Sequence, residues 1–223
     1  MAAIIPLRSS KCLKSKQPCL PALEKAPEPA EGRKVGGRRK NLEVRTREHL
    51  TPDEVERVID AARQRGRYGI RDSLLIMLAY RHGLRASELI ALRWDQVDYK
   101  AGTLHVNRLK NGSPSTHPIR GPEIRLLHAW QKQQRGGTYV FTSERGGPMN
   151  RVNVHHVVSG AAKAAGIEFP VHAHMLRHAT GFYLANAGQD TRAIQLYLGH
   201  KNIQHTVRYT ELSPERFKDF WKD

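Results

Sequence analysis

The sequence predicts a mainly α-helical α+β fold built around one small three-stranded antiparallel sheet. Three observations carry that prediction. Helix-capping signals recur from Thr51 onward, extended-chain patterning is confined to residues 97–119, and no internal repeat is present. At 223 residues the chain suits one or two domains and can bury a sizeable core.

Thr51-Pro52-Asp53-Glu54 reads as a helix start, with Thr51 as N-cap, Pro52 at the first position and Glu54 closing a capping box. Leu50 and Val55 are spaced for a hydrophobic staple. Val55, Val58, Ile59 and Ala62 line one face, and Gly66 is the stop. A second helix spans about Arg71 to His82 with Leu74, Leu75 and Leu78 inside and Gly83 ending it; a short third covers Ser87 to Leu92. Val97 to Asn107 reads as strand, turn and strand. Asn111-Gly112 marks a tight hairpin turn, and Thr116 to Ile119 is the returning strand. Helices then resume. Glu123 to Gln134 is amphipathic through Ile124, Leu127 and Trp130, and Asn150 caps a helix over Val152 to Ala165 that Gly166 closes. His174 to Ala187 ends at Gly188, Asp190 caps a helix through Leu198, another covers Ile203 to Tyr209, and Ser213-Pro214-Glu215 starts a last one reaching Trp221.

Charge bears on partners. Lys and Arg number 37 against 21 acids, a formal +16, and the pI is about 10.2. A polyanion is the natural counterpart of such a surface. Half of the excess lies in residues 1–47, which hold five prolines and no helical apolar period and read as a disordered basic tail ahead of a folded domain over 48–223. The run Arg33 to Lys40 suits DNA phosphates, and equally a solvated tail. The two cysteines, Cys12 and Cys19, fall in this tail with no histidine beside them, which fits a reduced cytoplasmic setting and argues against zinc. The longest apolar run, Leu74 to Tyr80, is far too short to span a bilayer, and the first residues do not form a secretory leader. No membrane role is expected.

Neither a P-loop nor a dinucleotide fingerprint occurs, G-x-S-x-G is absent, and acids do not cluster as a two-metal nuclease needs. The residues that stand out are cationic: Arg85, Lys110, His174, Arg177 and His200, followed nine positions later by Tyr209. Arg177 lies one turn after His174, so both leave one helix face. Such a set suits phosphoryl transfer. Two arginines hold the charged non-bridging oxygens with paired donors, and a histidine adds a third contact. A hydroxyl nucleophile must lose a proton and an alkoxide leaving group must gain one. His174 and His178 have i, i+4 spacing, but Met175 stands where the zinc pattern H-E-x-x-H requires glutamate, so no metal and no cofactor is expected.

Composition cannot show that residues so far apart converge. Their local motifs are more specific. Gly83-Leu84-Arg85-Ala86-Ser87-Glu88-Leu89 resembles the first-arginine box of the tyrosine recombinase (phage integrase) family. His174-Met175-Leu176-Arg177-His178 is similar to its His-x-x-Arg box, and Leu198-Gly199-His200-Lys201-Asn202-Ile203 with Thr206 and Tyr209 to its terminal box. Arg108-Leu109-Lys110 matches the place of its hairpin lysine. The resemblance covers about residues 48 to 221. It implies that Tyr209 attacks the scissile phosphate to give a 3′-phosphotyrosyl bond, with Arg85, Arg177 and His200 stabilising the transition state and Glu88 supporting the first arginine. It further implies that Lys110 protonates the leaving 5′ oxygen and that His174 assists proton removal from Tyr209, without metal or ATP.

Residues His174 to Tyr209 resemble in particular the small recombinases that invert fimbrial promoters. The implied partners are double-stranded DNA, three further copies in a homotetramer on paired sites, and an accessory DNA-bending protein. Two departures stand out. The tail is too short to supply the helical core-binding domain that most of the family carries, and Ala173 replaces a common proline. Inversion and mobile-element integration or excision remain open. A type IB topoisomerase shares the phosphotyrosyl chemistry, but the small frame argues against it; a non-catalytic regulator is disfavoured because every catalytic position is filled.

Overall fold

The computed structural model describes residues 47–108, 113–134 and 136–211, all within the unit Arg45–Asp223. In chain order the elements are α1 (Pro52–Gln64), α2 (Gly69–Arg81), α3 (Ala86–Ile90), a 3-10 turn (Trp94–Gln96), β1 (Val97–Asp98), β2 (Thr103–Val106), β3 (Ser115–Pro118), α4 (Gly121–Gln134), α5 (Arg151–Ala164), α6 (Ala173–Asn186), α7 (Thr191–Leu198) and α8 (Gln204–Glu211). The Arg33–Lys40 run, the Asn111-Gly112 turn with Lys110, and the last predicted helix over 213–221 lie outside the described residues.

Local chemistry sets the helix starts. Thr51 Oγ1 accepts from the Glu54 amide at 3.3 Å while the Glu54 carboxylate accepts from the Thr51 amide at 2.8 Å, so two otherwise orphaned donors are satisfied. Asn150 and Asn153 form the same reciprocal pair ahead of α5, and Asp190 accepts from the amides of Arg192 and Ala193 ahead of α7. The buried face of α1 is Val55, Val58, Ile59 and Ala62, as its periodicity predicts.

Helix α2 is the centre of the packing. It lies against α1, α4 and α6, and residues 73–80 are buried all round. In the sheet, β2 pairs antiparallel with β1 and β3, Leu104 opposite both Val97 and His117. Leu104 and Val106 face the core and His105 faces out. Among the described residues the apolar interior falls into two clusters. A large one runs from Leu50 to Ala179 through α1–α6 and the sheet; a small one consists of Ala185, Ile194, Leu198 and Tyr209, edged by Phe182, Leu184 and Tyr197.

One helix face departs from the sequence reading. Helix α4 buries Leu126, Leu127 and Trp130 but also Glu123, and leaves Ile124 only half-buried. Glu123 is inside because its carboxylate accepts from His82 Nε2 (2.7 Å), Arg81 Nη1 (3.2 Å) and the Arg120 amide (2.8 Å). Burial raises its pKa, but the His82 contact and these charge-assisted bonds outweigh that and hold the carboxyl below the ordinary glutamate value. Among the described residues no helix is long and apolar enough to cross a membrane.

Candidate active site

The turn after α2 places the first arginine. Gly83 has φ +58°, and a Cβ there would stand 2.4 Å from Leu198 Cδ2, so a side chain is excluded by both backbone and space. Two residues on, Arg85 occupies the N-cap position of α3. Glu88, one turn in, accepts from the Arg85 amide at 2.9 Å and pairs with the Arg85 guanidinium at 2.7 Å. Its second oxygen also takes Arg108 Nη1 at 3.0 Å. Arg108 is itself buried and donates to the carbonyls of His82 and Tyr197, so it ties the end of β2 to both α2 and α7. One buried carboxylate thus fixes two guanidiniums from different elements.

Arg177 on α6 is differently placed. It is 1% exposed and donates to two backbone carbonyls, Gly83 O at 2.5 Å and Leu198 O at 2.6 Å. These neutral acceptors orient the guanidinium and leave its charge uncancelled; among the described residues it forms no ion pair with a carboxylate. Burial, then the nearby Arg85 and Arg108, push its pKa down to about 9, which still leaves it cationic at neutral pH. An uncancelled charge in a desolvated place is poised for an anion.

Gly199 ends α7 in the left-handed region, and the chain turns so that His200 sits at the mouth of a cleft of about 740 Å³. Arg85, Arg192, Lys201 and His205 line the same cleft, and among the described residues no acid does. His200 Nδ1 lies 2.8 Å from the hydroxyl of Thr206, which is wholly buried. With Nδ1 committed, Nε2 is left for the cleft. Burial, then Arg177 and Arg85, push the His200 pKa down to about 3, so the imidazole is neutral.

Tyr209 is one turn beyond Thr206 on α8 and only 1% exposed. Its Oη is 2.8 Å from His178 Nδ1. The ring meets Phe182 edge-on at 5.1 Å and lies near-parallel to His200 at 6.2 Å. Gly181 on α6 makes the space: a Cβ there would fall 2.6–2.7 Å from the ring. Burial raises the Tyr209 pKa, partly offset by Arg177 and Arg208. The stretch before α1 braces this region, since Glu48 pairs with Arg208 and His49 stacks on Phe182 at 4.0 Å.

Arg85 and His200 line the cleft, and Arg177 and Tyr209 are buried next to them, so 125 positions of sequence close into one neighbourhood. His174 sits beside them, its side chain exposed and its ring 4.5 Å from that of His178. The hydroxyl of Tyr209 is held by His178, where the resemblance pointed to His174. Residues 48–216 match the phage integrase family. The chain belongs to that family.

Among its relatives, the type 1 fimbriae regulatory protein FimB of Escherichia coli (strain K12) is 41% identical over 180 residues, 78% of this chain and 90% of the relative. Tyrosine recombinase XerC of Xanthomonas campestris pv. campestris (strain B100) is 34% identical over 165 residues, 73% of this chain, which matches about half (51%) of XerC. The XerH site-specific recombinase bound to palindromic difH substrate superposes with a TM-score of 0.67 at 21% identity, over 77% of this chain and 52% of that one, a likeness of fold. The phage integrase assignment makes the chain a tyrosine recombinase, an enzyme of site-specific recombination, and the mainly helical fold with its three-stranded sheet agrees.

Sequence reasoning about this phage integrase domain missed the buried polar residues Arg108 and Glu123 as organising groups; it read His178, which is half-buried, as a packed or hydrogen-bonding histidine beside the site, without its partner Tyr209. Arg108 sits inside a quoted motif and His178 inside another, so their positions were visible but their partners were not.

Proposed function

We propose that this recombinase cuts and rejoins double-stranded DNA through a 3′-phosphotyrosyl bond to Tyr209. The observation that carries the reading is the tyrosine's setting, an aromatic hydroxyl beside a cleft that Arg85 and His200 line and that no acid among the described residues enters, with the uncancelled charge of Arg177 next to it. The pentavalent transition state spreads negative charge over its non-bridging oxygens, and Arg85, Arg177 and His200 supply fixed donors for it. Lys110 delivers the proton to the departing 5′ oxygen, and His174 belongs to the proton-handling side of the site. The phosphotyrosine keeps the free energy of the broken bond, so a second DNA end reverses the step, and two rounds pass through a Holliday junction.

The chemistry is assigned to the domain beginning at residue 48, and the basic stretch 1–47 adds attraction for DNA. The likeness of fold to XerH bound to its palindromic difH substrate supports duplex DNA as substrate here. The similarity to a fimbriae regulatory protein supports inversion of a DNA segment above integration or excision of a mobile element. Strand exchange at paired sites calls for a homotetramer, with a DNA-bending protein to bring the sites together.

The test is covalent trapping on nicked suicide duplexes drawn from DNA flanking the gene. The expected result is a denaturation-resistant adduct with the wild-type protein, formed in EDTA and lost in Tyr209→Phe. An adduct that survives in Tyr209→Phe would remove the proposed nucleophile.

A further inference from the structure

Three imidazoles lie near Tyr209, and among the described residues that of His178 has a ring nitrogen on its hydroxyl. His178 Nδ1 is 2.8 Å from Oη. His200 runs near-parallel to the tyrosine ring at 6.2 Å and has its Nδ1 committed to Thr206. His174 reaches the tyrosine only through His178, whose ring it meets edge-on at 4.5 Å.

We propose that His178 is the general base of the cleavage step, taking the phenolic proton of Tyr209 as the phosphotyrosyl bond forms. The proposal deepens the reading above and rests on Tyr209 being the nucleophile. Bond by bond, the Tyr209 O–H breaks and its proton joins the Nδ1 lone pair; the Oη–P bond forms and the P–O5′ bond breaks. The 5′ oxygen takes a proton from the acid assigned to Lys110. On rejoining, the imidazolium returns its proton to Oη.

The surroundings make this conditional on DNA. His178 faces His174, His172 and Arg177 on its own side and Arg208 and Tyr209 on α8. Burial, then His174 and the two arginines, hold its pKa down to about 3, so the free protein carries a neutral imidazole with a weakly basic lone pair. A scissile phosphate seated on Arg177 cancels part of the charge that depresses it. The base is therefore strengthened by the substrate it acts on.

Single-turnover cleavage of a nicked duplex that the wild-type full chain cleaves decides the matter, with His178→Asn, His178→Ala and His174→Asn compared. Asparagine keeps an acceptor near the place of Nδ1 but cannot take the proton. The expected result is that both His178 variants bind DNA as wild type does but cleave about 10²–10³-fold more slowly, while His174→Asn loses less. Added imidazole should restore part of the His178→Ala rate, and without it that rate should climb with pH toward the tyrosine pKa. A His178→Asn rate within about threefold of wild type, or a His178→Ala enzyme indifferent to both imidazole and pH, overturns the proposal. Failure of the underlying reading shows separately, as an adduct that persists in Tyr209→Phe.

Discussion

The two sides of the cleft are built to different standards. The arginine side stands on the large core: Arg85 follows directly from α2, which is buried among α1, α4 and α6, and Glu88 clamps Arg85 and Arg108 together. Among the described residues, the nucleophile side stands on a cluster of four buried ones, Ala185, Ile194, Leu198 and Tyr209 itself. Groups that must hold charge in a fixed place gain from a rigid frame. A nucleophile that is 1% exposed must be uncovered to meet a phosphate while keeping its hydrogen bond to His178, and elements that open locally come from the less stable part of a fold. The contrast suggests a rigid anion holder facing a tyrosine whose cover opens.

The strongest way to break that contrast is at the joint between the sides. Arg177 bridges Gly83 and Leu198, and a lysine ammonium cannot span both carbonyls. Arg177→Lys should lower single-turnover cleavage by about 10³-fold; a loss under tenfold would mean the bridge is dispensable. Core truncation sharpens the comparison. Leu78→Ala, in the large cluster, should cost about 2–5 kcal/mol in urea unfolding. Ile194→Ala, in the small one, should cost less globally while accelerating amide exchange in α7 and α8. Equal global losses would erase the distinction.

Gly181→Ala tests the tyrosine's seat. A methyl group 2.6–2.7 Å from the ring must displace it, and about 1–3 kcal/mol of local strain is expected, read as slower cleavage with unchanged DNA affinity.

Acid probes the arginine side through His117. This residue is fully buried, stacks on Tyr197 at 3.9 Å and approaches His82, and burial followed by His82 and Arg108 pushes its pKa down to about 3. The unfolded chain takes up this proton below about pH 6.5, whereas the folded one resists it until about pH 3. Its contribution is therefore intact above pH 6.5 and lost as pH falls across that window. His117→Gln should flatten the decline by up to about 1.4 kcal/mol per pH unit, measured by urea unfolding between pH 7 and 5. The smallest effect belongs to Glu48→Ala. Its exposed pair with Arg208 is worth about 0–1 kcal/mol, visible as faster α8 exchange and not as a shift in global melting.

Much of the scaffold was legible because it is written locally. Thr51, Asn150 and Asp190 announce helix starts through side chains that cap within three residues. Burial of Glu123 was not legible. A carboxylate in the first turn of a helix reads as solvent-facing, and its partners Arg81 and His82 are some forty positions away. The same holds for the pairing of His178 with Tyr209, which exists only once α6 and α8 pack. Of the six site residues that the motifs point to, Arg85 and His200 line the cleft, Arg177 and Tyr209 are buried next to them, and His174 stands beside His178. Lys110 falls outside the described residues. Motif order carried that much because each box fixes its own residue against a local turn, Gly83 for Arg85 and Gly199 for His200.

The brace ahead of α1 has a practical side. Glu48 and His49 grip the nucleophile helix and its supporting phenylalanine from the opposite end of the domain's sequence. Whatever tugs on the polypeptide just before Arg47, whether a bulky fusion partner, an affinity tag on a short spacer or a protease trimming back to that point, pulls on the tyrosine as a rein does on a bit. Activity measured on tagged or trimmed preparations should thus vary with the handle, and an untagged protein is the proper reference for its cutting rate.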